Sequence, residues 1–257
     1  MDRKLAQAYL DRIGAAWPAA ADADALRELQ IAHLRAVPFE NLSIHLGEPI
    51  SLAMDQLLDK IVTRRRGGFC YEVNGAFGWL LRQLGFDVTI LGASVYNGTT
   101  PGPPFDHLTL RVDAEQPWLA DVGFGSFSHH PLRWNETGPQ TDPAGSYRLR
   151  PEANGDITVL ENDWPEYRIE TRPRRLSDFE PTCLYQQKSP RSHFTRSLTC
   201  SRLTDNGRIT LSSHTLTHTV NGNRTQTRLE SDAEILAAYQ DHFGIRLPRP
   251  PTDPKQS

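Results

Sequence analysis

The apolar residues of this chain change period at Gly85, and that change limits the fold more than any other feature. Before it, Val73, Ala76, Phe77, Leu80, Leu81 and Leu84 recur at the i, i+3, i+4, i+7 spacing of one buried helix face, which predicts a helix over 70–84. Gly85 sits where a left-handed C-cap belongs, and Arg82 lies in the last turn, where the helix dipole favours a cation. After it, 87–96, 105–112 and 118–122 are rich in β-formers and separated by Gly, Pro and Asp turns.

The same reading extends outward from Gly85. Upstream, helices are expected near 5–13, stopped by Gly14, over 24–35, ended by Val37-Pro38, and after Ser51 as a cap. Downstream, short strands are expected at 147–150, 156–161 and 167–171, and a hairpin or meander over 208–229 turning at Asn221-Gly222-Asn223. A last helix starts at the capping box Ser231-Asp-Ala-Glu234 and stops near Gly244. The proline-rich tail from Leu247 cannot continue it and is expected to be extended or mobile. Helices first, a long β region and a closing helix make an α+β architecture.

Composition narrows the function. With 28 basic and 31 acidic residues there is neither a basic stripe for nucleic acid nor an acidic tail. No apolar run reaches the roughly 18 residues of a membrane span, and the first residues lack a signal-peptide core. Three cysteines without a Cys-x-x-Cys argue for reduced thiols in the cytoplasm rather than disulfides or structural zinc.

The chemistry concentrates in Arg64-Arg65-Arg66-Gly67-Gly68-Phe69-Cys70-Tyr71-Glu72. Two glycines turn the backbone into a helix that starts at Cys70, and its free N–H groups, with three arginines before it, would favour a thiolate nucleophile. The base is sought in His107, on a strand where Phe105, His107 and Thr109 share one face. Asp121 stands in the apolar stretch Trp118-Leu-Ala-Asp-Val-Gly-Phe-Gly125, where an unpaired carboxylate would cost several kcal/mol. A short turn at 113–116 would make the two strands antiparallel and let the His107 imidazole bridge Asp121 and Cys70. Cys183 and Cys200 have no such setting. His129 and His130 fall in an expected loop, and His214 and His218 share a strand face without a third ligand, so no metal is expected.

These stretches resemble the arylamine N-acetyltransferase family: Arg65-Arg66-Gly67-Gly68-Phe69-Cys70-Tyr71-Glu72-x-Asn74, Val37-Pro38-Phe39-Glu40-Asn41-Leu42, His107 in its strand and Asp121-Val-Gly-Phe-Gly125. The likeness runs from about residue 9 to 244. It implies a helical bundle over 1–85, a β-barrel over 86–190 and an α/β lid over 191–257 with a short Pro-rich tail, around a cysteine-protease-like Cys-His-Asp core. It also implies ping-pong acetyl transfer from acetyl-CoA, as cosubstrate rather than bound cofactor, to an arylamine, arylhydrazine or arylhydroxylamine, with the pair held as thiolate and imidazolium. By position, Phe39, Phe124 and Phe194 would line the acceptor pocket, and Gly123, Phe124, Gly125 and Ser126 would lie near the coenzyme.

Two departures bear on this. Ser126 stands where the family often has glycine, and the chain stops soon after Phe243-Gly-Ile-Arg-Leu, where many relatives add a helix. The macrolactam-forming amide synthases of ansamycin pathways share the triad and are similarly compact, so cyclisation of a carrier-bound polyketide is the alternative reaction. Cysteine hydrolases use the same three groups, but the whole-chain resemblance points away from them.

Overall fold

The structure, a computed structural model, describes residues 2–254. Helix α1 (Arg3–Ile13) ends on Gly14 in the left-handed region, and α2 (Ala23–Ala36) starts where Asp22 accepts the Ala25 N–H. A two-residue strand β1 (Phe39–Glu40) and a short α3 (Leu42–Leu46) follow. Ser51 does not cap the next helix; it accepts the Ala53 N–H in a tight turn, and α4 (Met54–Leu58) begins after Ala53 and widens into a π-turn over Asp59–Thr63. Then comes α5 (Cys70–Gln83), closed by Gly85 at φ 96°.

The β region holds β2 (Asp87–Asn97), β3 (Thr100–Pro101), β4 (His107–Asp113), β5 (Pro117–Ala120), β6 (Leu132–Arg133), β7 (Gln140–Asp142), β8 (Gly145–Pro151), β9 (Ile157–Glu161) and β10 (Trp164–Arg174). The strand expected from Phe105 begins two residues later, because Phe105 takes φ 62° in the preceding turn. Sheet order is β6-β5-β4-β2-β10-β9-β8-β7, with β3 beside β2. The two ends meet through Gln140, whose amide accepts the Arg133 N–H at 2.7 Å and donates to the Arg133 carbonyl at 3.0 Å. The sheet is thereby a nearly closed barrel.

Past β10 lie α6 (Glu180–Lys188), α7 (His193–Arg196), β11 (Thr199–Thr204), β12 (Gly207–Ser212), β13 (Thr215–Val220), β14 (Asn223–Arg228) and α8 (Asp232–Phe243). The second sheet runs β1-β11-β12-β13-β14, so Phe39 and Glu40 pair with Ser201 and Cys200 across most of the chain. Asn221 and Gly222 turn β13 into β14 with φ 49° and 81°, as a two-residue hairpin requires. His214 lies in the β12–β13 turn rather than on the strand with His218. Ser231 and Glu234 form the expected reciprocal cap of α8.

Three cores hold these parts together. One packs α1, α2 and α5 on the outer face of the barrel at Leu108, Leu110 and Val112. A second fills the barrel with Leu91, Tyr147, Val159, Tyr167 and Ile169. The third joins α3, β11–β13 and α8 through Leu42, Leu211 and Tyr239. The tail from Leu247 to Pro254 forms neither helix nor strand, and it is docked. Thr252 N–H donates to the His45 carbonyl, Arg249 donates to the Leu46 carbonyl, and Ser213 donates to a buried Asp253. No helix among the described residues is long and apolar enough to cross a membrane.

Candidate active site

Cys70 is the first residue of α5, and the two glycines before it are there for space. A Cβ on Gly67 would lie 1.8 Å from the Pro38 carbonyl oxygen, and one on Gly68 would lie 2.6 Å from the Glu72 Cβ. Their backbone runs against β1, where Glu40 N–H donates to the Gly68 carbonyl at 3.0 Å. Behind the helix start lies a buried charge cluster that residue-level reasoning missed. Glu72 accepts the Phe69 N–H and the Lys60 ammonium at 2.6 Å, while Arg66 donates to Glu40 at 3.0 Å. Burial alone would raise the Glu40 carboxyl, but Arg66 and Lys60 outweigh it and hold it below the usual range.

That cluster corrects the role expected of two of the three arginines. Arg66 is neutralised by Glu40 and Glu48, and Arg64 by Glu48, so their charge is not turned on the thiol. Burial pushes the Cys70 thiol up, the Leu108 N–H pulls it down, and the Asp106 and Asp121 carboxylates add to the rise. A lone thiolate is therefore disfavoured here, and ionisation needs a cation formed beside it.

His107 opens β4, opposite Ala93 of β2. The β4–β5 pairing aligns Leu110 with Ala120, so Asp121 falls just past the end of β5, level with Thr109, rather than within the strand. There its carboxylate is fully enclosed. Oδ2 lies 2.6 Å from His107 Nε2 and accepts the Tyr167 hydroxyl at 3.1 Å; Oδ1 accepts the Asn74 amide and the Gly123 N–H, both at 2.9 Å. Burial would raise this carboxyl, but the imidazole, the Asn74 amide and the Gly123 N–H hold it below the usual range. Because Nε2 is taken by Asp121, His107 has only Nδ1 left for the cavity.

Asn74 and Tyr167 are the positioning residues that reasoning from the sequence did not single out. Asn74 stands one helical turn beyond Cys70, donates to the Leu108 carbonyl at 2.7 Å and accepts the Val122 N–H at 2.8 Å. It thus ties helix, strand and Asp121 loop together. Its place in the Cys70-Tyr71-Glu72-x-Asn74 motif was the available signal. Tyr167, on β10, had none.

Cys70 and His107 line one cavity of about 470 Å³ with Phe39, Gly123, Phe124 and Phe194. Gly123 is required beside the cysteine, since a Cβ there would lie 2.8 Å from Cys70 Cα and 2.6 Å from Asn74 Nδ2. The Phe194 ring packs edge-on against Phe69 at 5.2 Å, and its carbonyl accepts the Asn41 amide at 2.8 Å. Gly125 and Ser126 do not line this cavity: Gly125 backs the Phe39 ring at φ 91°, and Ser126 is exposed. His129 and His130 lie in a loop whose N–H groups are accepted by Asp142. Among the described residues no group of three or more His, Cys, Asp or Glu could hold a metal ion.

Residues 22–251 match the protein-family model described as N-acetyltransferase. The arylamine N-acetyltransferase of Escherichia coli K12 is 37% identical, across 92% of this chain and 87% of its own. The chain belongs to the arylamine N-acetyltransferase family. It is accordingly an acyltransferase. Solved arylamine N-acetyltransferase structures share its fold over most of both chains. That of Mycobacterium smegmatis superposes with a TM-score of 0.85 at 36% identity, covering 93% of this chain and 92% of the other. That of Mycobacterium marinum, solved in complex with CoA, gives 0.83 at 33% identity over 93% and 92%.

Proposed function

We propose that the protein moves an acetyl group from acetyl-CoA to the nitrogen of an arylamine or arylhydrazine, in two half-reactions through acetyl-Cys70. The observation that carries this reading is the His107 ring, anchored at Nε2 by a buried Asp121 and lining the same cavity as the Cys70 thiol. In the first half, the thiol proton passes to His107 Nδ1 and the sulfur attacks the thioester carbonyl. The tetrahedral intermediate then expels the CoA sulfur, which takes that proton back from the imidazolium. In the second half, the amine nitrogen attacks acetyl-Cys70, His107 accepts a proton from that nitrogen, and the amide leaves while Cys70 regains its proton. Asp121 stays ionised throughout and stabilises the imidazolium.

Three features support an aromatic acceptor and this donor. Phe39, Phe124 and Phe194 give the cavity flat apolar walls, its volume suits a small ring, and a relative was solved with CoA. Reduced buried thiols at Cys70, Cys183 and Cys200 accord with a cytoplasmic enzyme. The test is intact-protein mass after mixing with acetyl-CoA, with Cys70→Ala as control. One acetyl adduct, absent in the variant and discharged by an aromatic amine, is the expected result. No adduct on a thiol that still alkylates would refute it and turn attention to carrier-bound polyketide donors.

A further inference from the structure

The cavity lining is of two kinds. Beside the aromatic Phe39, Phe124 and Phe194 it includes Arg191, His193 and Arg196 from the α6–α7 turn and α7, with Tyr185 and Tyr96. Both arginines are exposed, and neither forms an ion pair with a carboxylate among the described residues. Arg196 uses its Nε on the Ser192 carbonyl at 3.2 Å, which leaves the two terminal nitrogens of its fork for another acceptor. Asp106 is the carboxylate of this lining, and its Oδ1 already accepts the Gln186 amide at 2.6 Å.

The segment that carries these cations is held in place. Ser192 is buried and donates to Gln186 Oε1, which continues the chain through the Gln186 amide to Asp106; Arg191 N–H donates to the Ser189 hydroxyl at 3.2 Å. Two cations that line one cavity without an ion pair to a carboxylate favour an anion that enters it. A fork of guanidinium donors suits phosphate oxygens in particular.

We infer that Arg191 and Arg196 seat the phosphates at the nucleotide end of acetyl-CoA, with the half-exposed Tyr185 as a flat face for its adenine. This rests on the ping-pong reading above and adds to it the part of the donor that does not react. The acetyl thioester needs apolar walls, and the charged end needs cations. The lining that holds Cys70 supplies both.

The experiment compares donors. Acetylation of Cys70 is followed with acetyl-CoA, acetyl-4′-phosphopantetheine and acetylpantetheine, which carries no phosphate, in wild type and in an Arg191→Ala/Arg196→Ala variant. The expected result is a rise of about tenfold or more in KM for acetyl-CoA with kcat retained, and a change below about twofold in kcat/KM for acetylpantetheine. Raising salt from about 0.05 to 0.5 M should weaken acetyl-CoA binding to wild type and leave the variant's almost unchanged. Arg191→Lys/Arg196→Lys should recover part of the loss. Equal losses with acetyl-CoA and acetylpantetheine, or no loss with either, would overturn the assignment. So would a loss with acetyl-4′-phosphopantetheine as large as with acetyl-CoA, since the rim would then be reading the arm's own phosphate. Failure of the underlying reading looks different: wild type would take no acetyl group on Cys70 from any of the three.

Discussion

Asp121→Asn tests the catalytic reading at its narrowest point. The native carboxylate accepts four donors, two on each oxygen. The pair on Oδ1 cannot reverse, because one is the Gly123 backbone N–H and the other is the Asn74 amide, whose own carbonyl is committed to the Val122 N–H. The asparagine oxygen must therefore take the Oδ1 place, and its NH2 group must face Tyr167 and His107. The tyrosine hydroxyl can turn and accept. His107 can accept at Nε2 only by carrying its proton on Nδ1, which removes the lone pair that would take the thiol proton. Loss of the base through the wrong tautomer is worth roughly a thousand- to ten-thousand-fold in rate, or about 4–5.5 kcal/mol of barrier. The assay is the single-turnover rate of Cys70 acetylation, read by intact mass, beside a urea unfolding curve. Because the variant keeps a donor or acceptor for every partner, its stability should change by no more than about 1 kcal/mol. An acetylation rate within tenfold of wild type in a folded variant would refute the reasoning.

Other substitutions probe neighbouring claims. Tyr167→Phe removes one of two donors from Asp121 Oδ2 and should cost about three- to tenfold in acetylation rate, measured as above, with little change in KM for the amine. Gly123→Ala places a Cβ inside contact distance of Cys70 and Asn74, so a loss of about 1–3 kcal/mol in urea unfolding and a marked fall in adduct formation are expected. His107→Gln leaves the Cys70 thiol to its burial, which pushes it up; iodoacetamide labelling at pH 7 should slow by about a hundredfold or more. Asp121 is held below the usual carboxyl range, so its stabilising contribution is present above the unfolded pKa of about 3.9 and is lost as pH falls through its lower folded value. Urea unfolding at pH 6 and pH 3 should show wild type losing more stability than Asp121→Asn.

Much of this was readable in the residues, and what was not has physical causes. The helix after Cys70 was legible because one apolar face and a C-capping glycine spell out its length. The approach of His107 to Asp121 was legible because a carboxylate in an apolar stretch needs a partner and a short turn limits where that partner lies. Helix α6 was not, because it has no apolar stripe: Leu184 is 57% exposed while Gln186 faces inward. Strand β11 was hidden for a similar reason, with Cys200 and Ser201 buried where Val or Ile would have signalled a strand. Arg64 and Arg66 misled because charge is visible in a sequence and neutralisation by Glu40 and Glu48 is not. The Pro-rich tail was read as extended or mobile, and its docking was not legible because it depends on His45, Leu46 and Ser213, two of them some 200 positions away.

The pairing of β1 with β11 has a consequence for the protein's birth on the ribosome. Asn41 and Thr199 are hydrogen-bonded across 158 positions, and the strand between the nucleophile's glycines and the second sheet forms only when both ends exist. At about 5–20 residues per second, translation leaves the cysteine-bearing segment without its sheet partner for roughly 10–30 s. The nucleophile is among the earlier residues to emerge, and the strand its glycines lie against has no sheet to join until the C-terminal third arrives.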